Sequence, residues 1–132
     1  MRATIIPTLP YRDAAAAVDW LCRAFGFTRH AVFPDEAGGI AHAQLVLGDG
    51  MIMLGTAREE GSGSLQLPPA GHVTQSPYVV VPDADAHHAR ALRAGAEIVA
   101  PLKDEAFGGR SYSCRDLEGH LWHFGTYDPW SG

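Results

Sequence analysis

Several functional classes are made improbable by what this chain has little of. Among 132 residues Lys103 is the only lysine, so arginine carries nearly all the positive charge, and the formal net charge of −5 is spread without long runs of one sign. Surfaces that bind nucleic acid or anionic membranes concentrate basic residues, so neither partner is expected. No stretch approaches the roughly 20 apolar residues that a membrane-spanning helix needs. The opening segment MRATIIPTLPYRD has an apolar run too short and too soon broken for a signal peptide, which points to the cytoplasm. Cysteine is confined to Cys22 and Cys114 without CxxC spacing. Two free thiols are the expectation, with one disulfide or a reactive thiol as the alternatives. The Gly-rich segments at 38–39, 61–63 and 108–109 lack the strand-to-helix setting of a phosphate loop. Ser-His-Asp catalysis has no nucleophile elbow to support it.

What is present is internal repetition. Asp13-Ala14-Ala15-Ala16 is answered by Asp83-Ala84-Asp85-Ala86, an offset of 83 − 13 = 70, and Leu54-Gly55-Thr56 is answered by Phe124-Gly125-Thr126 at the same offset. Two supersecondary units therefore follow one another. They are expected to form a single domain, with repeat one at 3–56, a linker at 57–75, repeat two at 76–127 and a tail at 128–132.

The first repeat reads as a strand from Ala3 to Leu9 stopped by Pro10, then a helix capped by Asp13 that ends at Gly26. Strands at 27–33, 40–47 and 51–56 follow, the last two joined by the tight turn Gly48-Asp49-Gly50. The Gly-, Ser- and Pro-containing linker is expected to serve as a mobile lid over a site. The second repeat reads as a strand at 77–81, a helix from Asp83 through Ala94, and strands at 97–100, 110–115 and 121–127, with a loop at 103–109. The order is βαβββ twice, hence an α+β protein. Each four-stranded sheet would have a helix on one face. The two open faces could cover each other or curl into one cup, leaving a cavity between the repeats.

The stretch FGGRSYSCRDLEGHLWHFGTY, taken with PYRDAAAAVDWLCRAFGF, resembles the vicinal oxygen chelate superfamily. That superfamily includes glyoxalase I, the bleomycin-resistance proteins and the extradiol dioxygenases; the small glyoxalase/bleomycin-resistance-like members are the most similar. The resemblance covers essentially the whole chain and implies two βαβββ repeats forming a cupped mixed sheet with the helices outside. Metal-using members take one ligand from the first and last strand of each repeat. Carried over, these positions are Ile6, Met53, Ser76 and His123, and 76 − 6 and 123 − 53 both equal 70. Only His123 is a good ligand for a hard or borderline divalent metal, and such sites need about three protein ligands. No cofactor is therefore expected, although a divalent metal held by His42 and His123 with water is conceivable.

Strand alternation points His42, Gln44 and Val46 into the cup, with Ala41, Ala43, Leu45 and Leu47 packed on a helix. Met51, Met53, Tyr78 and Tyr112 are further pocket candidates, offering aromatic or adaptable apolar surface. Trp122 and Phe124 alternate away from His123 into the core, and Trp20 belongs to the core or to a subunit interface. His87 and His88 read as a solvated helix face, His30 and His72 as surface residues, and His120 as structural.

Two functions compete. The first is a metal-free small-molecule binder, taking an aromatic or drug-like ligand and forming a homodimer. The second is a lyase, isomerase or dioxygenase-type enzyme acting on a vicinally oxygenated substrate. It would use a divalent metal, or else His123 or His42 as general base assisted by Tyr112.

Overall fold

Asp13 and Asp83 start the two helices in the same way. Each carboxylate accepts a backbone N–H three residues on, from Ala16 and Ala86, both at 3.0 Å. This satisfies a donor that the first helical turn leaves free. Helix α1 (Ala14–Phe25) stops at Gly26, whose φ of 89° lets its N–H reach the Cys22 carbonyl. Helix α2 (Ala84–Arg93) is followed by Ala94 and then Gly95 at φ 96°.

The computed structural model describes residues 1, 3–58 and 65–131, in two compact units, Met1–Pro69 and Ala70–Gly132. In the first, β1 (Thr8–Tyr11), β2 (Thr28–Pro34), β3 (Ile40–Leu47) and β4 (Gly50–Thr56) form a sheet ordered β1-β4-β3-β2. In the second, β5 (Tyr78–Val80), β6 (Glu97–Asp104), β7 (Arg110–Arg115) and β8 (Leu121–Gly125) form a sheet ordered β5-β8-β7-β6. The first strand of each unit runs parallel to its last, and the other pairs are antiparallel. This is the expected α+β architecture of two βαβββ units. Among the described residues no helix is long and apolar enough to cross a membrane. Of the stretch expected to be a linker and lid, residues 59–64 lie outside the described residues. Leu65 belongs to the first unit, where its carbonyl accepts the Arg58 N–H at 2.6 Å.

One face of each sheet is sealed by its helix. Leu9, Ala43, Leu45, Ile52 and Leu54 are buried with Ala17, Val18, Leu21 and Phe25 in the first unit; Trp20 takes the core option there, edge-on to Phe25. In the second unit Trp122, Phe124, Tyr112 and Cys114 are buried with Ala84 and Ala91.

The largest departures from the expected strands are in β1 and β6, and each of these strands contains a proline. The first strand begins at Thr8 and includes Pro10 instead of stopping before it. Strand β1 is a sheet edge, and the carbonyls of Pro7 and Tyr11 face β4, accepting from Met53 and Ala57. Pro10 therefore turns its missing N–H to the free side. Likewise β6, the other sheet's edge, continues through Pro101 to Asp104, with register shifts on either side of Ala100.

Asp116 organises the turn between β7 and β8. One carboxylate oxygen accepts the backbone N–H groups of Glu118 and His120, and the other accepts the Trp122 indole N–H, all at 3.0 Å. His120 is thus structural through its backbone. Asp116 is only 7% exposed, so losing the carboxylate strands several donors at once. Asp116→Ala should lower the free energy of unfolding in urea by about 3 kcal/mol. A loss below about 1 kcal/mol would show that the carboxylate is not what holds this turn.

Candidate functional site

The sheet faces turned away from the helices carry most of the polar chemistry. In the first unit Gln44 pairs with Met53, Val46 with Met51, and Thr8 with Met53, so these side chains share that open face. His42, two residues before Gln44, joins them. The Gln44 amide nitrogen lies 3.1 Å from Nε2 of His42. An amide N–H₂ can only donate, so Nε2 accepts and the ring proton resides on Nδ1. The His42 ring stacks on Phe33 with centroids 5.9 Å apart. Ile6 precedes β1 and offers no donor atom.

In the second unit Tyr78, His123 and Ser113 share the open face, because Tyr78 and Ser113 both pair with His123. Both imidazole nitrogens are engaged: Nε2 lies 2.8 Å from Oγ of Ser76 and Nδ1 lies 2.6 Å from Oγ of Ser113. A neutral ring satisfies this arrangement, donating to one hydroxyl and accepting from the other. The Tyr78 hydroxyl donates to the Tyr127 carbonyl at 2.7 Å. It crosses above Gly125, where a Cβ would stand 2.6 Å from that hydroxyl oxygen, so only glycine leaves room. Burial raises the Tyr78 pKa above the ordinary phenol value, with the negative fields of Asp128 and Glu105 adding to it.

Tyr112 is not on this face, contrary to expectation. It pairs with Phe124 and lies against helix α2, 1% exposed. Its hydroxyl is 2.6 Å from Nδ1 of His87, whose ring sits 4.1 Å from that of Phe124. His88 meets the Tyr112 ring edge-on. The expected solvated helix face is therefore also corrected, since His87 packs on the sheet.

Tyr112 faces the helix because it pairs with the buried Phe124, and a bulge in β3 breaks the match between the two repeats. Phe33 pairs with His42 and Pro34 with Ile40, so Ala41 is an extra residue in β3. Thr56 and Thr126, 126 − 56 = 70 residues apart, still hold the starts of β3 and β7, through the Ile40 carbonyl and the Arg110 N–H. Past the bulge the correspondence slips by one: Leu54 pairs with Ala43 but Phe124 with Tyr112, and 112 − 43 = 69. Ala41 accordingly leaves the helix-facing row, and Ser113 takes the open-face place that Gln44 has in the first unit. The alternation of Tyr112 and Cys114 with Ser111 and Ser113 in β7 is the sequence signal that could have found Ser113.

The four positions carried over from the family resemblance do not fit a divalent metal. Ile6 has no donor, Met53 offers a soft thioether, Ser76 a neutral hydroxyl already bonded to His123, and His123 has both nitrogens engaged. Among the described residues no three His, Cys, Asp or Glu side chains gather in a group that could hold a metal ion.

Residues 5–124 match the family model described as the Glyoxalase/Bleomycin resistance protein/Dioxygenase superfamily. The chain belongs to that superfamily. This superfamily member is 41% identical to TioX from Micromonospora sp. ML1, with a TM-score of 0.76 covering 94% of this chain and 98% of TioX. It is 32% identical over 121 residues to an uncharacterized protein of Mycobacterium tuberculosis, covering 90% of this chain and 71% of the relative. The fosfomycin resistance protein FosX of Mesorhizobium loti shares the fold at 16% identity, with a TM-score of 0.63 covering 99% and 97% of the two chains.

The buried pair behind His123 makes this superfamily member's stability sensitive to alkali. Burial pushes the Cys114 thiol from 9.0 up to about 12, with Asp116 adding, and raises the Tyr112 hydroxyl strongly as well. Both acids hold their protons more tightly when folded, so their contribution is complete below the unfolded thiol value. It is lost as pH rises through the folded value. Stability in urea should therefore fall between pH 9.0 and about 12, and Cys114→Ala should make that fall shallower. A slope unchanged by the substitution would remove Cys114 as a cause.

Proposed function

We propose that this protein is a metal-free small-molecule binder that acts as a homodimer in the cytoplasm, where Cys22 and Cys114 remain thiols. The observation that carries this reading is the pair of serine hydroxyls on His123. The imidazole that could have anchored a metal already has both ring nitrogens within hydrogen-bond distance of serine hydroxyls. Metal binding would have to break into these contacts and would still find one good ligand where about three are needed.

The open faces suit recognition of an amphipathic, aromatic or drug-like ligand. Met51 and Met53 offer adaptable apolar surface and Tyr78 an aromatic one. His42 and Gln44 in the first unit, and the Ser76–His123–Ser113 chain in the second, each offer hydrogen-bonding groups that can orient a ligand on that unit's open face. Tyr112, buried beneath helix α2, has no part in this.

Protein purified without a chelating tag and offered Ni²⁺, Co²⁺, Zn²⁺ or Mn²⁺ should retain none stoichiometrically. Tight metal that disappears in His123→Ala would overturn the reading. In a thermal-shift screen flat amphipathic compounds should raise Tm without being turned over. A ligand at about one hundred times its Kd contributes about 2.7 kcal/mol, enough to shift Tm by several degrees. Shifts seen only when metal is added would also count against the binder.

A further inference from the structure

Three exposed aromatic residues are linked beyond the end of β8 in the second unit. Tyr78 is 42% exposed, Phe107 62% and Tyr127 38%. They are held together by specific contacts. Phe107, in the turn between β6 and β7, meets Tyr127 edge-on with ring centroids 5.1 Å apart. Tyr127 in turn takes the Tyr78 hydroxyl on its carbonyl. The turn can come this close because Gly108 and Gly109 have φ of 119° and 73°. A Cβ on Gly109 would lie 2.7 Å from the Tyr127 nitrogen. Preserving so much exposed aromatic surface is unfavourable in water unless something covers it.

Two carboxylates lie beside this patch, and Lys103 of β6 stands in register with Ser111 next to them. Asp128 and Glu105 are the two carboxylates whose fields reach the Tyr78 hydroxyl. Each bonds only neutral groups: Glu105 accepts the Ser111 hydroxyl at 2.6 Å, and Asp128 accepts the Trp130 backbone N–H and the Ser131 hydroxyl, both at 2.9 Å. The arginine of the neighbouring strand is occupied elsewhere, since Arg110 pairs with Asp85 and Asp104. Among the described residues neither Glu105 nor Asp128 has a cationic partner.

We propose that this patch of Tyr78, Phe107 and Tyr127, flanked by Glu105 and Asp128, binds a planar organic cation such as a protonated heteroaromatic amine. The assignment rests on the binder reading above and narrows it to one charge class. Aromatic faces attract cations through their quadrupole, and the attraction grows as water is displaced. A neutral planar ligand would gain the stacking but leave both carboxylates uncompensated, and an anion would be repelled. A small inorganic cation would satisfy charge but cover none of the aromatic surface.

Proflavine, cationic at neutral pH, and acridine, neutral there and of the same ring size, separate the two contributions. The full-length protein is titrated with each at low and high salt and followed by probe fluorescence. Proflavine should bind about tenfold more tightly than acridine at low salt, with the gap narrowing as salt rises. The double variant Glu105→Gln, Asp128→Asn retains hydrogen-bond acceptors and should erase the difference while leaving acridine binding unchanged. Phe107→Ala should weaken both probes. Equal affinities in the wild type would overturn the cation assignment while leaving the binder reading intact. Binding of neither probe would also overturn it, and the binder reading would then be decided by the thermal-shift screen. If Phe107→Ala leaves probe affinity unchanged but converts a dimer to monomer by light scattering, the patch is a subunit interface and the proposal fails.

Discussion

Burial of one face of each sheet beneath a single helix positions every other side chain on the strands. A strand alternates its side chains with period two, so the residues driven under the helix determine which ones face away. Trp122 and Phe124 are fully buried, each worth roughly 2–3 kcal/mol relative to exposure. Shifting β8 by one residue would expose both and bury His123. His123 therefore owes its place on the open face to its two neighbours and not to any contact of its own. The same constraint, working through Ile52 and Leu54, puts Met51 and Met53 on the open face of the first unit.

Once His123 is placed, its chemistry depends on what lies beside it. A ring flanked by hydroxyls at both nitrogens is stable as a neutral donor and acceptor, whereas a metal centre needs several anionic or imidazole ligands converging on one point. The chain belongs to a superfamily that includes metal-dependent members, yet the residues available here favour hydrogen bonding. Tyr78 and Gly125 extend the same economy of space: the phenol crosses the strand because the glycine beneath it has no side chain.

Much of the architecture was legible in advance. Asp13 and Asp83 mark helix starts because an aspartate before an apolar periodic run supplies the missing acceptor. The core roles of Trp122 and Phe124 follow from alternation about His123. Pro10 misled as a strand stop, since the effect of a proline depends on whether the strand is central or at an edge. That is a property of the assembled sheet. Tyr112 misled because its aromatic ring suits a pocket as well as a core, and its pairing with Phe124 puts it in the core.

The sequence by itself determined the βαβββ repetition, the helix caps and the parity of β8. These depend on local chemistry and on residue identity, which a linear reading contains. Only the tertiary structure decided that Ser113 completes the chain on His123, that His87 of helix α2 meets Tyr112 of the sheet, and that Tyr127 contacts both Phe107 and the Tyr78 hydroxyl. Each of these brings together residues from different elements, and their meeting depends on pairing register and turn geometry. A shift of one residue in a strand is almost invisible in sequence but moves a side chain to the opposite face of the sheet.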